Sequence, residues 1–308
     1  MSGKRFAIAV ALVSALGLSA CGENKEASPN EEISGATCSD LSGDLGSGND
    51  VGVVSLSPTA TEMLYAIGAG DQVIAVDNMS NFPESAGGAD SKLSGFEPNV
   101  EAIAGMNPDV VLITYDPGDL VTQLENLGID TWTGPAAMSI DDSYQQLTEL
   151  GDLTGHETGA AKVVDCMKAE IQSITATAQQ AAIGREDLTY YFELDDTFYS
   201  ITSNTFIGQL LKPLGLSSIA DGVQEGNDWP QLNIETIVSS DPDVIFLADS
   251  KCCGQDAATV ASRPGWTEMT AVLNSDIVAL DDDIASRWGP RVVDLVAAVG
   301  NAVASVGE

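Results

Sequence analysis

From Val51 onward the chain alternates short apolar runs with stretches in which apolar positions recur every three or four residues. Val53-Val54-Ser55-Leu56 predicts a buried strand, and Thr59-Ala60-Thr61-Glu62 reads as a capping box opening a helix that ends at Gly68. Strands are expected at Val73 to Val76, Val110 to Thr114 and Thr131 to Thr133, with a helix near Leu120 to Leu127. A second half follows the same logic: a strand over Thr189 to Leu194, a helix over Thr205 to Leu214, and strands at Val244 to Leu247 and Ile277 to Leu280. Both halves carry a matching segment. Glu101-Ala-Ile-Ala-Gly-Met-Asn-Pro108-Asp-Val-Val and Glu235-Thr-Ile-Val-Ser-Ser-Asp-Pro242-Asp-Val-Ile each spell a short helix, a turn and a buried strand.

Between the halves, Glu157 to Ile183 contains no proline and a single early glycine, with Val163, Met167, Ile171 and Ile174 on one helical stripe. Such a helix would run roughly 40 Å. The pattern predicts an α/β chain of two lobes with mostly parallel central sheets, joined by one long helix, with a ligand cleft between them. Residues 51–156 form the expected N-terminal lobe, 157–184 the linking helix and 185–308 the C-terminal lobe.

The first residues change this picture. Lys4 and Arg5 precede an uncharged run from Phe6 to Ala20, shorter than the about 20 apolar residues that a bilayer span needs. Residues 1–20 therefore read as a secretory signal. Leu18-Ser19-Ala20-Cys21-Gly22 resembles a bacterial lipobox, which would make Cys21 the lipid-modified first residue of the mature chain. A two-chain lipid would anchor the protein to the cell membrane from outside the cytoplasm. Residues 21–50 hold seven acids and one lysine among Ser, Gly, Asn and Pro, and read as a flexible tether.

Charge and cysteines narrow the function. The chain has 46 Asp plus Glu against 12 Lys plus Arg, a net charge of −34. That field excludes nucleic acid as a partner, because phosphates need a basic face. With Cys21 lipidated, Cys38, Cys166, Cys252 and Cys253 remain, an even number consistent with disulfides in any of three pairings. His156 is the one histidine, and no Cys-x-x-Cys occurs, so a tetrahedral zinc site is not expected. No Walker loop, Gly-x-Ser-x-Gly elbow or His-Glu-x-x-His is present, so no catalysis, resident cofactor or resident metal is expected.

Ser57-Pro-Thr-Ala-Thr-Glu-Met-Leu64, Asn99-Val-Glu-Ala-Ile103, Asn107-Pro-Asp-Val-Val111 and Asp241-Pro-Asp-Val-Ile245, in that order, resemble the periplasmic binding proteins that carry iron complexes and cobalamin for ABC importers. The resemblance spans about Val51 to Val303 and implies a monomer working with a permease and its ATPase. It implies that Glu101 and Glu235, at the tips of the lobes, dock onto permease arginines. Ligand in this family lies between the lobes, where α/β clefts face the carboxyl ends of strands. This nominates Ser57, Pro58, Asn78 to Phe82 (with Met79), Tyr115 and Asp116, and from the second lobe Asp195, Tyr199, Trp229, Asp249, Asp283, Arg287 and Trp288. Trp229-Pro-Gln231 and Arg287-Trp-Gly-Pro-Arg291 resemble the cobalamin-binding members, although Gly95 stands where a second tryptophan is expected and Met79 where a tyrosine is expected. The implied ligand is a corrinoid, bringing its own cobalt. A ferric hydroxamate siderophore is the alternative, and an envelope enzyme or ligand sensor on the same fold a third reading. Ferric tris-catecholates need several cations, and haem would need Tyr or Met as iron ligand.

Overall fold

The structure, a computed structural model, describes residues 37–88, 91–185 and 187–307. In the first lobe β1 (Val53–Ser55), α1 (Pro58–Ile67), β2 (Val73–Val76), α2 (Val100–Ala104), β3 (Val110–Ile113), α3 (Leu120–Glu125), β4 (Asp130–Thr133) and α4 (Ile140–Thr154) follow in order. The long helix α5 (Glu157–Ala181) leads to the second lobe. There β5 (Leu188–Glu193), α6 (Phe206–Leu211), β6 (Leu216–Ser218), α7 (Ile234–Ser240), β7 (Val244–Leu247) and α8 (Ser250–Cys253) come first. They are followed by α9 (Ala257–Ala261), α10 (Thr270–Asn274), β8 (Ile277–Ala279), α11 (Asp282–Ala285) and α12 (Val292–Ser305).

Each lobe holds a four-stranded sheet, ordered β2-β1-β3-β4 in the first and β6-β5-β7-β8 in the second. Every pairing is parallel. β3 and β7 are buried at each position, as strands covered on both faces must be. The strand β6, which follows the helix-ending Gly215, has no counterpart among the strands expected from the apolar pattern. Strand order reverses between β1 and β3, and again between β5 and β7. Such reversals open a crevice at the carboxyl ends of the strands.

The matching segments of the two halves use one device twice. Asn107 and Asp241 take left-handed backbone, φ 51° and 43°, which Asn and Asp tolerate better than other L-residues. After the proline, the Asp109 carboxylate accepts from the Gly52 N–H at 2.7 Å, and Asp243 accepts from the Thr189 N–H at 2.7 Å. The turn before the third strand of each lobe is thus pinned to the start of its first strand.

One buried cluster runs through both lobes. It passes from Val53, Met63 and Leu112 through Val163, Met167 and Ile174 of α5 to Tyr190, Phe246 and Val296. Helices α1, α4 and α12 all pack on α5. Each large aliphatic side chain buried there contributes about 1.5–3 kcal/mol. The outer faces of the sheets have separate cores, around Val54, Ile103 and Val111 in one lobe and Tyr191, Ile245 and Trp266 in the other.

Two expectations are corrected. The N-cap of α1 is Ser57, whose Oγ accepts from the Ala60 N–H at 3.3 Å, and not Thr59. Pro58 occupies the first turn, where its missing N–H costs nothing, and Glu62 is free for another role. Nor are residues 37–50 a free tether. Cys38 is buried and bonded to Cys166 on α5, and the Asn49 side chain donates to the Leu153 carbonyl at 3.0 Å. A crosslink with sequence separation 128 removes much freedom from the unfolded chain. The signal, Cys21 and the rest of the tether lie outside the described residues.

A core continuous through the 25-residue α5 leaves little room for a hinge. Small-angle scattering with and without ligand should show an almost unchanged radius of gyration. Compaction of several ångströms would contradict the strut.

Candidate functional site

At the reversal point of the first lobe, the strands β1 and β3 release Leu56 to Thr59 and Thr114-Tyr115 side by side. The Thr114 hydroxyl donates to Ser57 Oγ at 2.9 Å. A cavity of about 270 Å³ opens here. The first lobe lines it with Pro58, Asp77, Met79, Gly95, Phe96 and Tyr115, and the second lobe closes it with Asp283, Ser286, Arg287 and Trp288.

The closing segment crosses from one lobe to the other on a buried ion cluster. Glu62 on α1 is 1% exposed. Its Oε1 accepts from Arg287 Nη1 at 2.7 Å, and Arg291 bonds both its oxygens, through Nη2 to Oε1 and through Nε to Oε2 at 3.1 Å. Arg287 also donates to Asp283 at 2.6 Å, to Asn81 Oδ1 at 3.0 Å and to the Met79 carbonyl at 3.1 Å. Asn81 Nδ2 returns a bond to Asp283 at 2.9 Å. The Arg291 guanidinium lies 4.0 Å from the centroid of the Phe82 ring. Burial alone would lower the Arg291 pKa, but the hydrogen bonds and charge of Glu62 outweigh it and raise it. Trp288 docks on α4, its Nε1 donating to Gln146 at 2.7 Å and its carbonyl accepting from Ser143.

Of the nominated residues, Pro58, Met79, Tyr115, Asp283, Arg287 and Trp288 therefore meet in one cavity. Ser57 is buried beside it, holding the helix start. Phe82 lies under Arg291, and Asp116 is exposed after β3. Asp195 caps its own turn, accepting from Thr197 N at 2.8 Å. Tyr199 and Trp229 do not line this cavity. They stand in the second lobe, joined through the Tyr199–Gln231 bridge and the Ser200 to Pro230 backbone bond, and are 41% and 50% exposed. A more open hollow of about 610 Å³ beside them is lined by Thr197, Phe198 and Gln231 to Glu235.

Sequence reading missed Glu62 and Arg291 as a pair, and Phe96 as a ring. Gly95 has no room for a tryptophan, because a Cβ there would meet the Leu56 carbonyl oxygen at 2.7 Å. Its neighbour Phe96 supplies the aromatic surface instead, 6.3 Å from Tyr115 between ring centroids. Burial raises the pKa of Asp77 behind it, opposed by its bonds from Ser80 and by the charge of Arg287.

The reversal point of the second lobe is filled rather than open. Glu193 ends β5 fully buried and is held by Arg263 in two bonds of 2.6 Å. Arg263 lies 4.7 Å from the Trp266 ring centroid. Asp249, also fully buried, was nominated for the cleft but points into this cluster, and neither carboxylate oxygen finds a hydrogen-bond partner among the described residues. Burial first, and then the Glu193 charge, push its pKa up to about 7.

The docking candidates are placed alike. Asn99 caps α2, accepting from Ala102 N at 3.0 Å, and Asn233 caps α7, accepting from Thr236 N at 2.8 Å. Glu101 and Glu235 each stand second after the cap, exposed.

A model of the periplasmic binding protein family matches residues 53–284. An ABC transporter substrate-binding lipoprotein of uncharacterized function, YvrC of Bacillus subtilis, is 29% identical over 79% of this chain and 76% of its own. A cobalamin-binding protein of Halobacterium salinarum is 31% identical over 81% of this chain and 68% of its own. The crystal structure of a possible iron-binding periplasmic solute-binding protein from Staphylococcus epidermidis aligns with a TM-score of 0.70 at 23% identity, covering 83% of this chain and 99% of that one. The chain belongs to the periplasmic binding protein family.

Asp249 sets a pH dependence. Its ordinary value is 3.8, so between about pH 4 and pH 7 the folded state keeps a proton that the unfolded chain has lost. Stability therefore falls as pH rises through that window and stays reduced above it. Asp249→Asn should leave stability at pH 4 unchanged and raise it at pH 8 by about 2–4 kcal/mol. Urea unfolding at both pH values checks this; equal effects at the two would reject it.

Proposed function

We propose that this member of the periplasmic binding protein family is the extracytoplasmic, lipid-anchored capture subunit of an ABC importer and that its ligand is a corrinoid. The observation that carries the ligand is the uncovered set Met79, Phe96 and Tyr115, 48%, 67% and 46% exposed, at the mouth of the cavity. Large apolar surfaces left open beside a crevice suit a flat, largely apolar macrocycle. The cobalamin-binding relative supports the same reading. Strongly anionic ligands are disfavoured, because Arg263, Arg287 and Arg291 are paired with carboxylates and Arg185 caps the carbonyls of Ala181, Ala304 and Val306. The proposal includes no catalytic step, and the protein works as a monomer delivering ligand to a permease driven by its ATPase.

The modest cavity of about 270 Å³ favours a second reading, a smaller ferric hydroxamate siderophore. Titrating the protein with cyanocobalamin and with a ferric hydroxamate, followed by tryptophan fluorescence, separates the two. Binding of the siderophore alone would replace the corrinoid. Trp229 and Tyr199 belong to the proposed ligand surface of the second lobe. Trp229→Ala should weaken binding of the correct ligand by roughly 1–3 kcal/mol, as loss of aromatic stacking does elsewhere. Unchanged affinity would remove Trp229 from the site.

Glu101 and Glu235 are proposed to dock onto basic residues of the permease. Two acids at matching helix starts on one rigid core fix the orientation of the encounter. Such rim charges act on association rate and salt dependence more than on ligand affinity. The Glu101→Gln/Glu235→Gln variant should bind ligand normally and associate more slowly with permease in membranes, the defect shrinking as salt screens the wild-type attraction. Impaired ligand binding would instead place these acids in the pocket.

A further inference from the structure

Cys252 and Cys253 are bonded to each other on α8, and both are exposed. Cys38 of the other disulfide is 2% exposed. The two bridges thus differ in access, and exposed disulfides are the ones open to attack by thiols.

The position of α8 gives that difference a consequence. Asp282 Oδ1 accepts from the Ser250 hydroxyl and the Lys251 N–H, each at 3.0 Å, and its Oδ2 accepts from the Cys252 N–H at 2.6 Å. The Ser250 hydroxyl also reaches the Leu280 carbonyl at 2.5 Å. Lys251 Nζ bonds Asp281 at 2.5 Å and lies 3.7 Å from Asp283. The next contact from Asp283 is to Arg287 and Asn81, the bridge between the lobes. A single carboxylate side chain and one turn of backbone therefore separate the disulfide from the closing segment of the cavity.

We propose that Cys252–Cys253 is a thiol–disulfide exchange site whose redox state sets how tightly the Asp281 to Arg287 segment holds the mouth of the cleft. The co-reactant is an external dithiol. Its thiolate attacks one sulfur of the pair and expels the other as a thiolate, which takes up a proton. The second thiol of the reductant then attacks the mixed disulfide. Cys252 and Cys253 gain two electrons and two protons, and the reductant leaves as its own disulfide. Opening the ring returns rotational freedom to the peptide between the cysteines. The Cys252 N–H, which makes the shortest of the three bonds to Asp282, is then free to swing away, and Asp282 loses the donor nearest to the ring. The disulfide form of that reductant runs the exchange backward, taking up the two electrons and two protons as it closes the Cys252–Cys253 ring and restores the grip. The inference concerns the closing segment itself and does not depend on which ligand the cleft takes.

The test uses the full chain treated with dithiothreitol without denaturant. Alkylation followed by mass spectrometry should label Cys252 and Cys253 and leave Cys38 and Cys166 bonded. Hydrogen exchange of the peptide containing Asp281 to Arg287 should then become several-fold faster. Cys252→Ser/Cys253→Ser should exchange at the faster rate with or without reductant. Failure of Cys252 and Cys253 to label would overturn the proposal, as would equal exchange in the labelled and unlabelled protein. Failure to bind cyanocobalamin would count only against the corrinoid reading, since exchange is measured without ligand.

Discussion

Glu62 is the fixed point of the molecule. A carboxylate taken out of water is costly unless it is paired and fully hydrogen-bonded. Here the compensation comes from the other lobe, as two guanidinium groups that sit 7% and 10% exposed at the side chain. With Asp283 the cluster holds two acids and two bases, so it is neutral as a whole. Separating the lobes would strand Glu62 in the apolar face of α1, and this is what makes the closed segment part of the native state. The cluster also specifies geometry. Arg287 reaches the Met79 carbonyl and Asn81, so the loop after β2 is placed by the same cation that neutralises Glu62. Gly289 lets the turn pass, since a Cβ there would come within 3.2 Å of Glu62 Oε2.

The two lobes share a strand order and a turn device but treat their crevices differently. In the first lobe, small polar groups, Ser57 and Thr114, bond each other and leave space above them. In the second, Glu193, Arg263, Asp249 and the Trp266 ring occupy the equivalent place. A ligand entering between the lobes thus finds its recess on one side and a packed wall on the other. The ring surface available from the second lobe lies outside that wall, at Tyr199 and Trp229.

Much of this was legible in the sequence because it rests on short-range rules. The apolar runs after Asn107-Pro-Asp and Asp241-Pro-Asp are short and open on a turn, which favours strands buried on both faces, and the stripe of Val163, Met167 and Ile174 has the spacing of one helix. The illegible parts depend on partners distant in the chain. Thr59 and Glu62 have the spacing of a capping box, but an acid 225 residues from Arg287 gives no local sign of its pairing. Gly95 looked like a lost ring because sequence cannot show the carbonyl pressed against it. The β6 segment is three residues long and pairs only through its neighbour β5. Residues 37–50 read as tether by composition, and one disulfide overrides composition.

The acidic composition acquires a structural meaning once the cations are located. The net charge is −34, yet every arginine among the described residues is bonded within the chain, to a carboxylate or to backbone carbonyls. The surface is therefore left more acidic than the interior needs. Such a field attracts any basic partner from all sides and cannot by itself choose a face. Orientation has to come from position. Glu101 and Glu235 are two acids among many in charge, but each follows an asparagine cap in a segment pinned to the start of a central strand. Their side chains start from backbone that the sheets hold still, and the shared core through α5 fixes their separation. In the docking proposed above, general charge would bring a basic partner close, and these two rigid starts would decide how it sits.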